Sequence, residues 1–225
     1  MAKKISVIIP TKNEEHTIEE IVQKCKVYAS EVIVVDGHST DKTKEISEGA
    51  GAKFLLDRGK GKGDGLRLAG EEAQGDILVF IDSDGSHDPD DIPRLARPLL
   101  DNEADLVTGS RPKGGSDELH GDVEKLVRMI GSDIITITIN WRWKAKLSDT
   151  QNGFRAILRQ VFLDLDLKEN GFTIEEEMIM KCLKKGYRVT EVPTHEYERR
   201  YGMSRISLWR VSFRFVWVVL KNIFF

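Results

Sequence analysis

Short, unbroken apolar runs recur through the first third of the chain, and each one stops on a polar cluster. Ile5-Ser6-Val7-Ile8-Ile9 leads into Pro10-Thr11-Lys12-Asn13-Glu14-Glu15. Glu31-Val32-Ile33-Val34-Val35 leads into Asp36-Gly37-His38-Ser39-Thr40-Asp41, and Ile77-Leu78-Val79-Phe80-Ile81 into Asp82-Ser83-Asp84. A strand with one wet face alternates apolar and polar residues. A run that is apolar at nearly every position is buried on both faces, as in a parallel sheet covered by helices. Between the runs, Ile18, Ile21, Val22 and Cys25 fall at helical spacing, Lys42 to Gly49 reads as a helix, and Lys53 to Leu56 as a short strand. A glycine-rich stretch from Gly59 to Gly65 opens a further helix that runs to Ala73. Alternating strands and helices predict an α/β fold with an open, mostly parallel sheet flanked by helices. Ligands of such sheets gather beyond the carboxyl ends of the strands, and Asn13, Glu14, Asp36, Asp82 and Asp84 all fall there.

The second half changes character. Asp105 to Thr108 reads as a strand ending on Gly109-Ser110-Arg111, and Val123 to Asn140 as a long helix that includes the β-branched run Ile134 to Ile139. Ser148 to Arg155 reads as a strand or loop, Phe172 to Lys184 as mainly helix, and Tyr187 to Val192 as a strand closed by Pro193. The 225 residues, 40% hydrophobic, suit one domain with an appendage. A formal net charge of −3 supplies no global attraction to nucleic acid, and none is expected as a partner. Cys25 and Cys182 lack neighbours at metal-ligand spacing and are expected as reduced thiols. The first apolar run is too short for a signal peptide, and no window is long and apolar enough to span a bilayer. The expected setting is the cytoplasmic face of the membrane.

Asp82 and Asp84, two residues apart just past a buried strand, present hard oxygen ligands suited to Mg²⁺ or Mn²⁺, with a diphosphate completing the shell. Asp36 and Glu14 offer acceptors for the donors of a base or ribose. Either acid of Glu14-Glu15, and the Ser39 to Asp41 segment, could instead serve only to cap the following helix. The glycine-rich stretch is neither a P-loop nor a dinucleotide fingerprint.

Ile8 to Glu14, Val34 to Asp41, Ile81 to Gly85 and Gly109-Ser110-Arg111 resemble the successive motifs of inverting family 2 glycosyltransferases, which have the GT-A fold. Asp149-Thr150-Gln151-Asn152-Gly153-Phe154-Arg155 and Arg199-Arg200-Tyr201-Gly202-Met203-Ser204-Arg205 are similar to the dolichyl-phosphate mannose synthase branch, including archaeal dolichyl-phosphate hexosyltransferases. The resemblance implies a nucleotide-sugar site at Pro10, Thr11, Asn13, Glu14, Asp36 and Ser83, with Lys62 and Gly63 as further contacts. It implies catalytic roles for Asp82, Asp84, Arg111 and Arg199, with Asp84 and Asp82 on the metal. The second motif lacks the usual second carboxylate beside Asp36, and Ser86 stands where the mannose synthases often carry a metal-binding Gln.

The acceptor follows from charge. A sugar hydroxyl needs a base to take its proton, whereas a lipid phosphate is already an anion and needs cations to approach the donor diphosphate. Arg111, Arg128, Arg199 and Arg205, with Ser204, are the expected acceptor-phosphate contacts, and Arg155 is a further available cation. Glu175-Glu176-Glu177 reads as a helix start with exposed acids, and a base among them would instead suit a hydroxyl acceptor. From Leu208 to Phe225, Arg210, Arg214 and Lys221 fall within about 40° on a helical wheel, flanked by Trp209 and Trp217. This stretch is expected to lie in the headgroup region as an amphipathic helix, the alternatives being a terminal helix packed on the core or an oligomer contact. The expected organisation is a catalytic domain over 1–205 and a membrane-associated helix over 206–225. Its work would be hexose transfer from a nucleotide-sugar to dolichyl or another polyprenyl phosphate. The competing readings are a nucleotidyltransferase, a transferase acting on a sugar hydroxyl, and a non-catalytic nucleotide-sugar-binding module.

Overall fold

The computed structural model describes residues 3–117, 123–199, 201 and 217–223, with the backbone alone over 123–128. The first half forms β1 (Ile5–Thr11), α1 (Ile18–Cys25), β2 (Glu31–Asp36), α2 (Thr43–Gly49), β3 (Lys53–Leu56), α3 (Lys62–Glu72) and β4 (Ile77–Phe80). The second half continues through α4 (Ile92–Leu100), β5 (Leu106–Ser110), α5 (Arg111–Gly114), α6 (Val123–Trp143) and β6 (Arg155–Leu158), and ends with α7 (Arg159–Asp164), α8 (Ile174–Lys184) and β7 (Val189–Pro193). Residues 217–223 are also helical.

The strands make one sheet in the order β3-β2-β1-β4-β6-β5-β7. β1 pairs in parallel with β2 and β4, and β2 with β3. Val7, Ile8, Ile9, Ile33, Val34, Leu78 and Val79 are fully buried, which is the covering on both faces that their unbroken apolar runs require. β6 is antiparallel to both β4 and β5, and β7 is parallel to β5. The sheet is therefore mostly parallel with one reversed strand inserted, and that strand was not separated from the loop before it by sequence pattern. The reversal has a consequence for the site. The carboxyl ends of β1, β2, β4, β5 and β7 and the amino end of β6 all reach the same edge, so the loop before β6 arrives beside Asp82.

Both cysteines are buried and unpaired with each other. Burial pushes the Cys25 thiol up to about 12. Among the described residues no helix is long and apolar enough to cross a membrane.

Candidate active site

β1 and β4 sit side by side while the chain winds outward from β1 to β2 and β3, so the crevice between their ends is where an α/β sheet accepts ligands. The loops after these two strands are tied together there. Ser83 Oγ donates to the Pro10 carbonyl at 3.0 Å, and Thr17 Oγ1 donates to the Ser83 carbonyl at 2.6 Å. Asp36 accepts from the Ser39 amide at 2.8 Å and from its hydroxyl. Asn13 has φ 57°, a left-handed conformation that Asn tolerates better than most residues. It receives the Thr40 amide on Oδ1 at 2.8 Å and donates its own amide to Ser39 Oγ at 2.7 Å. The loops after β1 and β2 are thus locked by short polar side chains. Neither acid of Glu14-Glu15 caps α1: the Glu14 carbonyl accepts from the Thr17 and Ile18 amides, while Glu15 Oε2 accepts from the Lys42 amide across the gap. Thr11 Oγ1 is buried at this edge with no hydrogen-bond partner among the described residues.

Asp82 and Asp84 are each matched to cations. Lys62 Nζ lies 2.8 Å from Asp82 Oδ1 and 2.9 Å from Glu175 Oε1, bridging the two carboxylates. Burial opposes the charge on Lys62, but the two acids outweigh it and raise its pKa. Burial also acts to raise the Asp82 pKa, yet Lys62, followed by His87 and Arg199, brings it below the usual carboxylate range. Asp84 accepts from the Ser86 amide at 3.0 Å and its hydroxyl at 2.6 Å on one oxygen, and pairs with Arg199 Nη2 at 2.7 Å on the other. Gly63 has a structural reason to be glycine: a Cβ there would meet the Glu169 carbonyl at 2.3 Å.

The second half delivers the remaining groups. Arg111, at the end of β5, donates to both oxygens of Asp149, from Nε at 2.6 Å and Nη2 at 3.0 Å, and reaches Glu196 at 3.3 Å through Nη1. Asp149 is buried, which alone would raise its pKa, but the Arg111 charge and hydrogen bonds hold it below the ordinary value. Two groups escaped the sequence reading. Gly153 approaches Asp82 so closely that a Cβ would stand 2.7 Å from its Oδ2. His87 is buried, packs at a tilt against Phe154 with centroids 5.2 Å apart, and has no hydrogen-bond partner on Nδ1 among the described residues. Burial holds its imidazole below the ordinary value, against the opposing charges of Asp82, Glu196 and Asp84. A histidine directly after Asp82-Ser83-Asp84-Gly85-Ser86 was the signal for it. His87 feels Asp82, Asp84, Glu196 and Arg111 alike, which places the four in one electrostatic neighbourhood.

Other expectations need correction. Glu175, Glu176 and Glu177 are not exposed acids: they are 6%, 1% and 2% exposed. Glu177 accepts the amides of Lys168 and Glu169 and pairs with Lys181, Glu175 pairs with Lys62, and burial keeps the Glu176 pKa well above the usual range. Arg155 is not available to a phosphate either. It is 1% exposed, and its guanidinium donates to the Asn152 and Glu175 carbonyls, pinning the loop before β6 to α8. The Arg128 side chain, Ser204, Arg205 and the stretch from Leu208 to Val216 lie outside the described residues.

Among the described residues no group of three or more His, Cys, Asp or Glu side chains is placed to hold a metal by itself. The donor set still fits Mg²⁺ or Mn²⁺, which bind through one or two carboxylates plus substrate phosphates. Asp82 and Asp84 are the carboxylates that would serve, each now paired with a cation, Lys62 and Arg199.

The description "Glycosyl transferase family 2" matches residues 6–165. Glycosyltransferase AglJ of Haloferax volcanii is 34% identical over 200 residues, covering 88% of this chain and 64% of AglJ. The dolichol-phosphate mannosyltransferase of Pyrococcus furiosus is 32% identical over 214 residues, covering 91% of this chain and 59% of the relative. The chain thus spans less than two thirds of either protein. Among solved structures, glucosyl-3-phosphoglycerate synthase of Mycobacterium tuberculosis, in complex with Mn²⁺, uridine diphosphate and phosphoglyceric acid, superposes with a TM-score of 0.79. It is 24% identical, and the match covers 99% of this chain and 79% of that one. That likeness carries the fold. With the family match and the arrangement at the sheet edge, the chain belongs to glycosyl transferase family 2, as a glycosyltransferase domain of the GT-A fold.

Proposed function

We propose that this chain transfers a hexose from a nucleotide-sugar to a polyprenyl phosphate such as dolichyl phosphate, with inversion in a single displacement. The observation that carries the reading is the pairing of Lys62 with Asp82 and of Arg199 with Asp84, with Arg111 held on Asp149 at the same sheet edge. Two anions that must react repel each other, and fixed cations offset that repulsion without reorganising. The nucleotide lies along Pro10, Thr11, Asn13, Glu14, Asp36 and Ser83, with Lys62 and Gly63 beside it. Asp84 and Asp82 would hold Mg²⁺ or Mn²⁺, which would supply charge neutralisation for the departing diphosphate. Arg199, paired with Asp84 at 2.7 Å, is the cation that would meet the acceptor phosphate from this side. Arg111, oriented by Asp149, meets the same phosphate, and Arg128, Ser204 and Arg205 complete its binding. The acceptor is presented from the cytoplasmic face of the membrane, with 1–205 as the catalytic unit and the amphipathic stretch 206–225 at the headgroups. The relative named dolichol-phosphate mannosyltransferase supports this acceptor.

A second reading keeps the family and changes the acceptor. Glu175 Oε2 is buried without a hydrogen-bond partner, beside Lys62 and Asp82, where a base for a sugar hydroxyl would sit. One assay separates them. The protein is incubated with labelled GDP-mannose, UDP-glucose or UDP-N-acetylglucosamine, Mn²⁺ and dolichyl phosphate, and then extracted with organic solvent. Label in the organic phase, retained within about tenfold in Glu175→Gln, is expected; a general base is worth about 10²–10⁴. Nucleoside diphosphate release without lipid product, abolished in Glu175→Gln, would transfer the case to the hydroxyl reading.

A further inference from the structure

α6 carries apolar residues on both sides, and only one side is covered. Thr136 and Ile139 are buried against the domain. Ile130, Ile134, Ile137 and Trp141 are 49%, 59%, 64% and 78% exposed. At 100° per residue these last four fall within about 60° of one another, with Thr136 and Ile139 about 130° and 170° away from their centre. They form a continuous stripe along the outside of the helix. Large apolar side chains exposed in a row, rather than singly, mark a contact surface.

The chemistry of the flanks selects the partner. Asp133 is the one exposed carboxylate between Ile130 and Leu147; from Ile134 onward the sequence contains none and runs through Trp141-Arg142-Trp143-Lys144-Ala145-Lys146. Arg142, Lys144 and Lys146 are exposed beside the exposed Trp141. An aliphatic stripe, an indole at its end and a cluster of cations next to it match acyl chains, the interfacial zone and anionic headgroups in turn. We propose that the outer face of α6 seats this domain on a bilayer containing anionic lipid. The inference deepens the lipid-acceptor reading and rests on it for its purpose. It adds a contact built into the catalytic domain itself, separate from the stretch after residue 205.

The inner face connects this contact to the site. Thr136 Oγ1 and Thr150 Oγ1 share a hydrogen bond of 3.0 Å. Asn140 donates from Nδ2 to the Leu147 carbonyl at 2.7 Å and accepts the Leu147 amide on Oδ1 at 3.0 Å. Between Leu147 and Thr150 lies Asp149, which grips Arg111. A bilayer-lying α6 therefore fixes the height of Arg111 above the headgroups.

The test is flotation with vesicles of phosphatidylcholine containing about 30% phosphatidylglycerol and no polyprenyl phosphate, beside turnover with dolichyl phosphate dispersed in detergent. Relative to wild type, Ile134→Ser/Ile137→Ser is expected to lower vesicle partitioning about tenfold or more, with detergent turnover held within about twofold. Trp141→Ala is expected to act in the same direction, and higher salt to weaken wild-type binding. Partitioning unchanged in both variants overturns the proposal, as does wild type that stays off the vesicles. A wild-type dimer in sedimentation that the double variant dissociates would assign the stripe to a second copy and overturn it equally. Intact flotation with no lipid product from wild type would sink the acceptor reading and leave the docking face standing.

Discussion

The two halves of the molecule hold their functional groups by different physics. On the β1–β4 side the loops are fastened to one another by neutral or singly charged short contacts, such as Ser83 to Pro10, Thr17 to Ser83 and Asp36 to Ser39, above strands buried on both faces. Ion pairs enter there at the Asp82–Asp84 rim, with Lys62 and Arg199. On the β5–β7 side the fastening is ionic and largely buried: Arg111 with Asp149 and Glu196, Lys113 with Glu191, and Arg155 against two carbonyls. The difference matches the tasks proposed for each side. A nucleotide is gripped through backbone and hydroxyl groups on a rigid edge, whereas a second anion requires cations held ready against desolvation. It also implies that damage to the first half acts through packing, and damage to the second through charge.

Asp84→Ala joins the two halves and should have the largest effect. It removes the carboxylate proposed for the metal and a partner of Arg199, with a turnover loss of at least about a thousandfold expected. An unchanged circular dichroism spectrum and melting temperature are expected beside it, and substantial residual turnover would count against the metal assignment. Arg111→Ala follows, with turnover down about 10²–10³-fold by the same principle. Arg111→Lys should recover little of it, because an ammonium cannot reproduce the forked contact to Asp149.

Stability measurements sharpen the contrast. Leu78→Ala in β4 empties a fully buried site and should cost about 3 kcal/mol in urea unfolding, with no change in how stability depends on pH. Asp149→Asn should cost a comparable amount at neutral pH, because it leaves the Arg111 guanidinium without its buried counter-charge, and should change that dependence as well. The Asp149 carboxyl is depressed in the folded state, so its contribution is complete above its unfolded pKa of about 4 and is lost as pH falls toward the folded value. The variant should therefore show a shallower fall in stability below about pH 4 than wild type. Equal slopes would erase the distinction between the halves. The smallest effect concerns the thiols. Cys25, pushed up to about 12 by burial, and Cys182, raised in the same way, should resist alkylation at pH 8 until the protein unfolds.

Much of the first half was legible before any coordinates. Its strands begin and end close to where the unbroken apolar runs predict, and the acidic clusters do collect at one edge. The parts that were not legible share a cause. β6 is four residues long, Arg155 to Leu158, and shows neither alternation nor a long run. The Glu175-Glu176-Glu177 triplet looks solvated because, Lys181 one turn along α8 aside, the groups that receive its acids, Lys62 and the Lys168–Glu169 amides, lie in other segments. Arg155 looks available for a phosphate until α8 brings the Glu175 carbonyl to it.

Periodicity and turn chemistry are local properties, written in residues a few places apart, and so the amino-acid order alone determined the α/β class, the strand ends and the Asp82-Asp84 pair. Which charge meets which is a property of space. Only the folded sheet, by inserting one reversed strand between β4 and β5, decided that Gly153 would press on Asp82 and that Asp149 would orient Arg111. It also decided that the outer stripe of α6 would be left without a protein partner among the described residues. Desolvation makes those pairings compulsory once the groups are buried, but nothing in a linear pattern says which groups will be buried together.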